Sequence, residues 1–248
     1  EGILLDNHLL VRDGEFLPDD LTQILTAGPY PVRNITQNIA DLQAQIAANQ
    51  RGVRELQALA KTYGDLTVLR YKQHIQNNAE SCVRRAIATL RLPAEGSTWT
   101  TPLDNGSQIQ VKITINSDPD FPTAATIDFR GTSPQQPNNF NAPRAIAKAA
   151  VLYVFRTLVA DNIPLNAGCL KPLDIIIPAK SILSPSHPAA VVAGNVEASQ
   201  AVVDTLYAAL GILANSQGTM NNIPFGNDRH QYNETICGGS GAGSDLSG

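Results

Sequence analysis

Apolar positions along the first third of the chain recur at alternating steps of four and three. Ile35, Ile39, Leu42, Ile46, Val53, Leu56, Ala60 and Tyr63 fall on this spacing, with Asn49 as its polar member. Such a stripe is the seam of a long helix packed on another helix. Gly64 suits a left-handed C-cap, and Asp65 can cap a following helix. The spacing then resumes through Val68, Tyr71, Ile75, Ala79, Cys82, Ala86 and Leu90, and Pro93 ends it. The pattern predicts an antiparallel helical hairpin over about 36–91. Folding about Gly64 brings Asn49 level with Asn78, so that these amides either bond each other and fix register or line a site on the bundle's flank.

Beyond Pro93 the period changes to two. STWTTPL, SQIQVKITIN and TAATIDFRG alternate as strands, with Asp104-Asn105-Gly106 as a hairpin turn, which predicts an antiparallel meander from Ser97 to Arg130. A polar loop, Gly131–Pro143, leads into a helix over about 142–160, with Asn141 as its expected N-cap. Leu173–Pro178 reads as a short buried strand, and Asn195 as the cap of a last helix with Val203, Leu206, Leu210 and Leu213 on its core face. The fold class is therefore α+β: a linker and short helix over 1–34, the helical hairpin over 35–93, and an α+β portion over 94–248.

The 248 residues, 43% hydrophobic and 16% charged, suit one large or two small domains with a substantial core. The net charge of −4, with no Lys/Arg cluster, argues against nucleic acid and favours a small or neutral ligand. No apolar stretch approaches the roughly 18 residues that span a membrane, and EGILLDNHLL is not a signal peptide. Both ends read as cut, which suggests a piece of a longer protein. Cys82, Cys169 and Cys237 are odd in number and dispersed, so neither a disulfide framework nor a zinc pattern is present, and a reducing, cytoplasmic setting is expected. His8, His74, His187 and His230 show no ligand spacing, so no self-contained metal site is read.

Candidate chemistry concentrates in three polar runs: GNVEASQAVVD at Gly194–Asp204, SQGTMNN at Ser216–Asn222 and ETICGGSGAG at Glu234–Gly243. The turn at Asn195 places Glu197, Ser199 and Gln200 at a helix start, where free N–H groups bind anions. Glu197 reads as a base, as a metal ligand within a composite site, or as a first-turn acid favoured by the helix dipole. Thr219, Asn221 and Asn222 offer the hydroxyl and amide groups that substrate-amide recognition or an oxyanion site needs, or else form an Asn-capped turn. The glycine-rich CGGSGAG lacks the lysine of a phosphate-binding loop. Arg130-Gly131-Thr132-Ser133 either presents a guanidinium and hydroxyls at a strand end or is an exposed loop.

The runs NIADLQAQIAANQRGVREL, DFRGTSPQ, NAPRAIAKAAVLYVFRTL, IPLNAGCLKPL, GNVEASQAVVD, SQGTMNN and NETICGGSGAG resemble, in order and over nearly the whole chain, the hydantoinase B/5-oxoprolinase family. The combination is most similar to the C-terminal, hydantoinase B half of ATP-dependent 5-oxoprolinases. The resemblance implies a companion hydantoinase A-type half, fused or separate, that holds ATP and Mg2+ and phosphorylates a ring carbonyl oxygen. The B half then opens the activated ring of 5-oxoproline or a hydantoin. It also implies that family segments outside this chain carry H-x-x-D-type residues, which allows a divalent metal in the full domain, and that the piece alone is inactive. Ser244–Gly248 departs from the family pattern. On the matched motifs, Glu234 and Glu197 are the catalytic candidates, with Asn195, Ser199, Gln200, Thr219, Asn221 and Asn222 as substrate-binding candidates. A homo-oligomer is expected at full length. Two alternatives are a structural module that docks the partner ATPase subunit, its polar turns being only turns, and a subunit of an acetone-type carboxylase. Convergence of the three polar runs on one cleft favours the enzyme, and scatter favours the scaffold.

Overall fold

The structure is a computed structural model that describes residues 3, 5–28, 30–116, 123–219, 221–236, 238–239 and 241–243. Within the polar runs, Met220, Cys237 and Ser240 lie outside the described residues, as does Ser244–Gly248. The chain forms two compact units, 1–73 and 74–248.

In the first unit, β1 (Val11–Arg12) and β2 (Glu15–Phe16) form a small antiparallel pair. α1 (Pro18–Thr26) follows, with proline in its first turn, and buries Leu21 and Leu25. α2 (Ile35–Tyr63) begins at Asn34, whose side chain accepts from the Gln37 N–H at 3.1 Å. α1 packs on α2. α3 (Asp65–Thr89) starts directly after Gly64 and runs into the second unit.

Both long helices lie where the apolar spacing places them, but their cover differs from expectation. α2 buries no residue. Val53, Leu56, Tyr63, Tyr71 and Ile75, all on the seam, are exposed. Asn49 and Asn78 are exposed as well, so neither is a buried register-fixing amide. A 3-4 spacing reports that a face needs apolar cover. It does not say whether the next helix or another surface supplies it.

The second unit is built on a four-stranded sheet of β3 (Ser97–Pro102), β4 (Gln108–Asn116), β5 (Ala124–Asp128) and β6 (Leu173–Ile176), in that order. The meander is antiparallel, as alternation predicted. β6 pairs parallel to β5, which requires a crossover, and α4 (Arg144–Thr157) lies within it. Ile109, Val111 and Ile113 alternate inward from β4 and are fully buried. Ala79, Cys82, Val83 and Ile87 of α3 join the same core, together with Val151, Val154 and Phe155 of α4. Cys82 and Cys169 are free and buried; Cys169 fills the core as a small apolar residue, whereas Cys82 Sγ also accepts from Arg85 at 3.1 Å and donates to Asp161 at 3.7 Å.

α5 (Glu197–Leu210) packs on α4, β3 and β4. It buries Ala198, Val202, Leu206, Ala209 and Leu210. The expected core face is thus partly right: Leu206 and Leu210 are buried, whereas Val203 and Leu213 are half-buried. A final hairpin, β7 (Asn222–Gly226) with β8 (Gln231–Thr235), stands exposed along its whole length. Phe225 stacks on Tyr232 there, with ring centroids 4.9 Å apart.

Three capping expectations are corrected. Asp65 is the first residue of α3 and not its cap. Asn141 does not cap α4, whose N-cap is Pro143. Fully buried, it accepts from the Gln136 N–H at 2.7 Å and donates to the carbonyls of Gln136, Asn138 and Ala190, so it ties together loops that would otherwise bury unpaired backbone groups. Asn195 does not cap α5 either. It ends a 3-10 turn (Val192–Asn195), and Val196 takes the cap position without a side-chain hydrogen bond.

Candidate functional site

The start of α5 is held by close backbone packing. A Cβ at Gly194 would overlap the Asn141 carbonyl oxygen and the Ala142 Cα, so only glycine lets the 3-10 turn lie against residues 141–142. Thr205, fully buried, gives its proton to the Ala201 carbonyl and accepts from the Thr101 hydroxyl of β3 at 2.8 Å, which fixes the helix over the sheet.

Between α5, the β3–β4 turn and the loop 215–219 lies an open cleft of about 410 Å3. Its lining includes Thr101, Asp104, Asn105, Glu197, Gln200, Asp204, Ser216, Gln217 and Thr219. The size is that of a small-molecule site. Among the described residues its charged lining is acidic: Asp104, Glu197 and Asp204.

Asp204 organises the cleft. It is 8% exposed and accepts three hydrogen bonds: from Gln200 Nε2 at 3.0 Å, from the Ser216 N–H at 3.3 Å and from Ser216 Oγ at 3.0 Å. Gln200 Nε2 also donates to Ser216 Oγ at 3.1 Å, and that oxygen accepts from the Gly218 N–H at 3.1 Å. The Ser216 hydroxyl therefore uses its one proton and both lone pairs. A buried carboxylate needs such donors, because its desolvation is otherwise uncompensated. In the β3–β4 turn, Asn105 Oδ1 accepts from the Ser107 N–H and hydroxyl at 3.0 and 2.6 Å, which leaves its Nδ2 to donate outward.

Glu197 stands apart from this network. Its Oε2 is buried and has no hydrogen-bond partner among the described residues. The other such atom is His8 Nε2, in the first unit, beside an apolar groove of about 740 Å3 that Asn49 also lines.

Of the candidates read from sequence, Glu197, Gln200 and Thr219 share the cleft. Asn195 and Ser199 line a separate hollow of about 270 Å3 toward α4, which Gln200 also borders, and Ser199 Oγ donates back to the Asn195 and Val196 carbonyls. Asn222 and Glu234 belong to the exposed hairpin, and half-buried Asn221 lies just before it. Asn221 Nδ2 donates to the Ile236 carbonyl, Asn222 Oδ1 accepts from Thr235 Oγ1 at 2.7 Å, and Glu234 accepts from the Tyr232 hydroxyl. The third run still reaches the second through its glycines: a Cβ at Gly238 would overlap the Gln217 side chain, and the Ala214 N–H donates to the Ala242 carbonyl at 2.9 Å. Parts of all three runs therefore meet, by Asp204 on Ser216 and by Gly238 on Gln217.

Asp204, Ser216 and Asn105 were not singled out from the sequence. One signal for Asp204 was available: it lies four residues after Gln200 and seven after Glu197, so one face of α5 carries all three. Among the described residues no three His, Cys, Asp or Glu side chains gather as a metal-binding group. These residues do not provide a complete donor set for the divalent metal that the resemblance allows. Among the described residues no helix is long and apolar enough to cross a membrane.

The family model for hydantoinase B/oxoprolinase matches residues 1–248. The chain belongs to the hydantoinase B/oxoprolinase family. Similar family members include 5-oxoprolinase 1 of Arabidopsis thaliana, 43% identical over 100% of this chain and 21% of its own length. The 5-oxoprolinase of Saccharomyces cerevisiae is 40% identical, over 99% of this chain and 20% of its own length. This hydantoinase B chain thus spans about a fifth of those relatives. Its fold is similar to that of the ATP-dependent caprolactamase from Pseudomonas jessenii, with a TM-score of 0.69 at 19% identity, over 91% of this chain and 40% of that one.

Proposed function

We propose that this chain supplies the ring-binding cleft of an ATP-dependent cyclic-amide hydrolase whose carbonyl-activating, hydantoinase A-type half lies elsewhere in the full-length protein or assembly. The observation that carries the proposal is Glu197 Oε2, a buried acceptor without a partner in a cleft sized for a small ring. Buried polar atoms are nearly always satisfied, so an orphan on a cleft wall marks a place for a ligand's N–H or a water. The relatives' names, 5-oxoprolinase and caprolactamase, describe action on cyclic amides, which present an N–H donor and a carbonyl acceptor locked in one ring.

In this reading Glu197 is the base. It takes one proton from a water whose oxygen bonds to the activated carbonyl carbon. Glu197 returns that proton to the ring nitrogen, and the added hydroxyl's proton follows as its C=O forms. The ring C–N bond thus breaks to free the amine and leaves an acyl phosphate, which a second water cleaves to the carboxylate and inorganic phosphate. Thr219 and the Asn105 amide are among the cleft's donors that can serve the carbonyl-derived oxygen. A ring carboxylate, such as that of 5-oxoproline, must point to the cleft mouth, away from Glu197 and Asp204.

The test is Glu197→Gln in the full-length protein, assayed for ring opening coupled to ATP hydrolysis with 5-oxoproline and a hydantoin. Loss of a positioned base predicts a fall in kcat of about 10^2-fold or more. Near-normal turnover by a folded variant would overturn the assignment.

The exposed apolar face along α2 and the first turns of α3 supports a second role that coexists with the first. Leu56, Tyr63, Leu66 and Leu69 are each at least half exposed, as an interaction surface would be. A module docking an ATPase half, or a second copy in a homo-oligomer, fits that face.

A further inference from the structure

We propose that Asp204 is a positioning residue that sets substrate specificity: by holding the Gln200 amide in one orientation, it makes the α5 wall a surface of acceptors, which admits cyclic amides bearing a ring N–H and rejects N-alkylated ones. The inference rests on the cyclic-amide reading above and narrows its substrate class.

Hydrogen-bond valence fixes which way the Gln200 amide turns. A side-chain amide offers two N–H donors at one end and a carbonyl acceptor at the other. The two ends are nearly isosteric, and only their partners decide which way the group turns. Asp204 Oδ1 lies 3.0 Å from the Gln200 amide and can only accept. The nitrogen must therefore face it. Ser216 Oγ, 3.1 Å away, takes the second proton, since its own proton goes to Asp204 Oδ2 at 3.0 Å. Both Nε2 protons are thus committed within the protein. What remains of Gln200 for a ligand is Oε1, an acceptor.

Glu197, three residues earlier on α5, adds the unpartnered Oε2, a second acceptor on the same cleft for the ring N–H, while its other oxygen serves the attacking water. A ring N–H satisfies such a wall. An N-methyl group brings no proton and leaves both acceptors without a donor, Glu197 Oε2 among them a buried one. Sites built to hydrogen-bond a substrate N–H reject analogues lacking it far more strongly than apolar pockets reject a methyl group. Asp204 itself is covered by its three donors, so it acts through Gln200 and does not touch the ring.

The test compares kcat/KM for 2-pyrrolidinone and 5-oxoproline with their N-methyl derivatives, in the full-length protein with its ATPase half, reading ring opening coupled to ATP hydrolysis. The wild type is expected to prefer the N–H lactams by about 100-fold or more. Asp204→Asn offers donors as well as acceptors, so Gln200 is free to reverse. That variant is expected to lose about tenfold of the preference, mainly through a higher KM for the N–H lactams. Gln200→Met keeps the length and removes the acceptor, and is expected to lower the preference similarly. It carries the test if Asp204→Asn does not fold. A purely structural role for Asp204 would depress both classes of lactam in parallel, and an unchanged preference in both variants would overturn the inference. So would a wild type that turns over both classes alike. A wild type that turns over no lactam removes the cyclic-amide reading, and this inference with it.

Discussion

Thr205 Oγ1 accepts from the Thr101 hydroxyl at 2.8 Å, joining α5 to β3 through two hydroxyls beside the cleft that Thr101 lines. The same Thr205 oxygen reaches back to the Ala201 carbonyl at 2.5 Å, so its position is set by the helix before it meets the strand. Thr205→Val keeps the shape and removes the bond. It should cost about 1–2 kcal/mol, because a buried hydroxyl loses a partner. Denaturant midpoints at unchanged slope would show it, and an unchanged midpoint would mean that this contact does not hold α5.

The two apolar faces of the chain predict opposite outcomes. Leu206 is fully buried between helix and sheet, whereas Leu56 on α2 is 50% exposed. Leu206→Ala should destabilise the protein by about 2–5 kcal/mol. Leu56→Ala should change stability by no more than about 0.5 kcal/mol. A large loss at Leu56 in thermal unfolding would mean that the seam is packed, as its spacing suggests.

A third prediction concerns acid. Arg84 donates to Glu80 at 2.7 Å and Lys171 approaches it at 3.5 Å. The hydrogen bond from Arg84, with Lys171 adding to it, holds the Glu80 carboxyl below its ordinary range against a partial burial that acts the other way. A carboxyl with a lowered folded pKa stabilises the fold above its unfolded pKa, and that contribution is lost as pH falls through the folded value. Glu80→Gln should therefore lower the unfolding midpoint near neutral pH and have little effect in strong acid. A variant whose deficit is the same at both pH values would contradict this.

Glu234 accepts from the Tyr232 hydroxyl on an exposed hairpin, away from the α5 cleft. If the cleft carries the chemistry, Glu234→Gln should leave kcat for coupled ring opening within about threefold, well short of what loss of a general base costs. A fall as large as that expected for Glu197→Gln would return Glu234 to the centre of the site.

The sequence exposed periodicity well and partnership poorly. The stripes of α2 and α3 and the alternation of β3 and β4 carry their period in the residues, and those elements stand where expected. The parallel docking of β6 on β5 joins segments about 45 residues apart, which no local pattern encodes. The caps failed for a related reason. Asn141 and Asn195 have the right chemistry in the right place, but longer-range packing claims Asn141 for four loop contacts and places Asn195 in a 3-10 turn. In the site, Glu197 and Gln200 were legible from their run. Asp204 was not, because an acid seven residues into an amphipathic helix reads as solvent-facing until the loop at Ser216 is seen to cover it.

The central claim is that the ring binds against α5. A structure of the full-length protein with 5-oxoproline or a hydantoin bound tests it most directly. The ring is expected in the cleft between α5, the β3–β4 turn and the loop 215–219, with its nitrogen about 3 Å from Glu197 Oε2 or Gln200 Oε1. A ring bound elsewhere, with this cleft empty and Glu197 untouched, would contradict it.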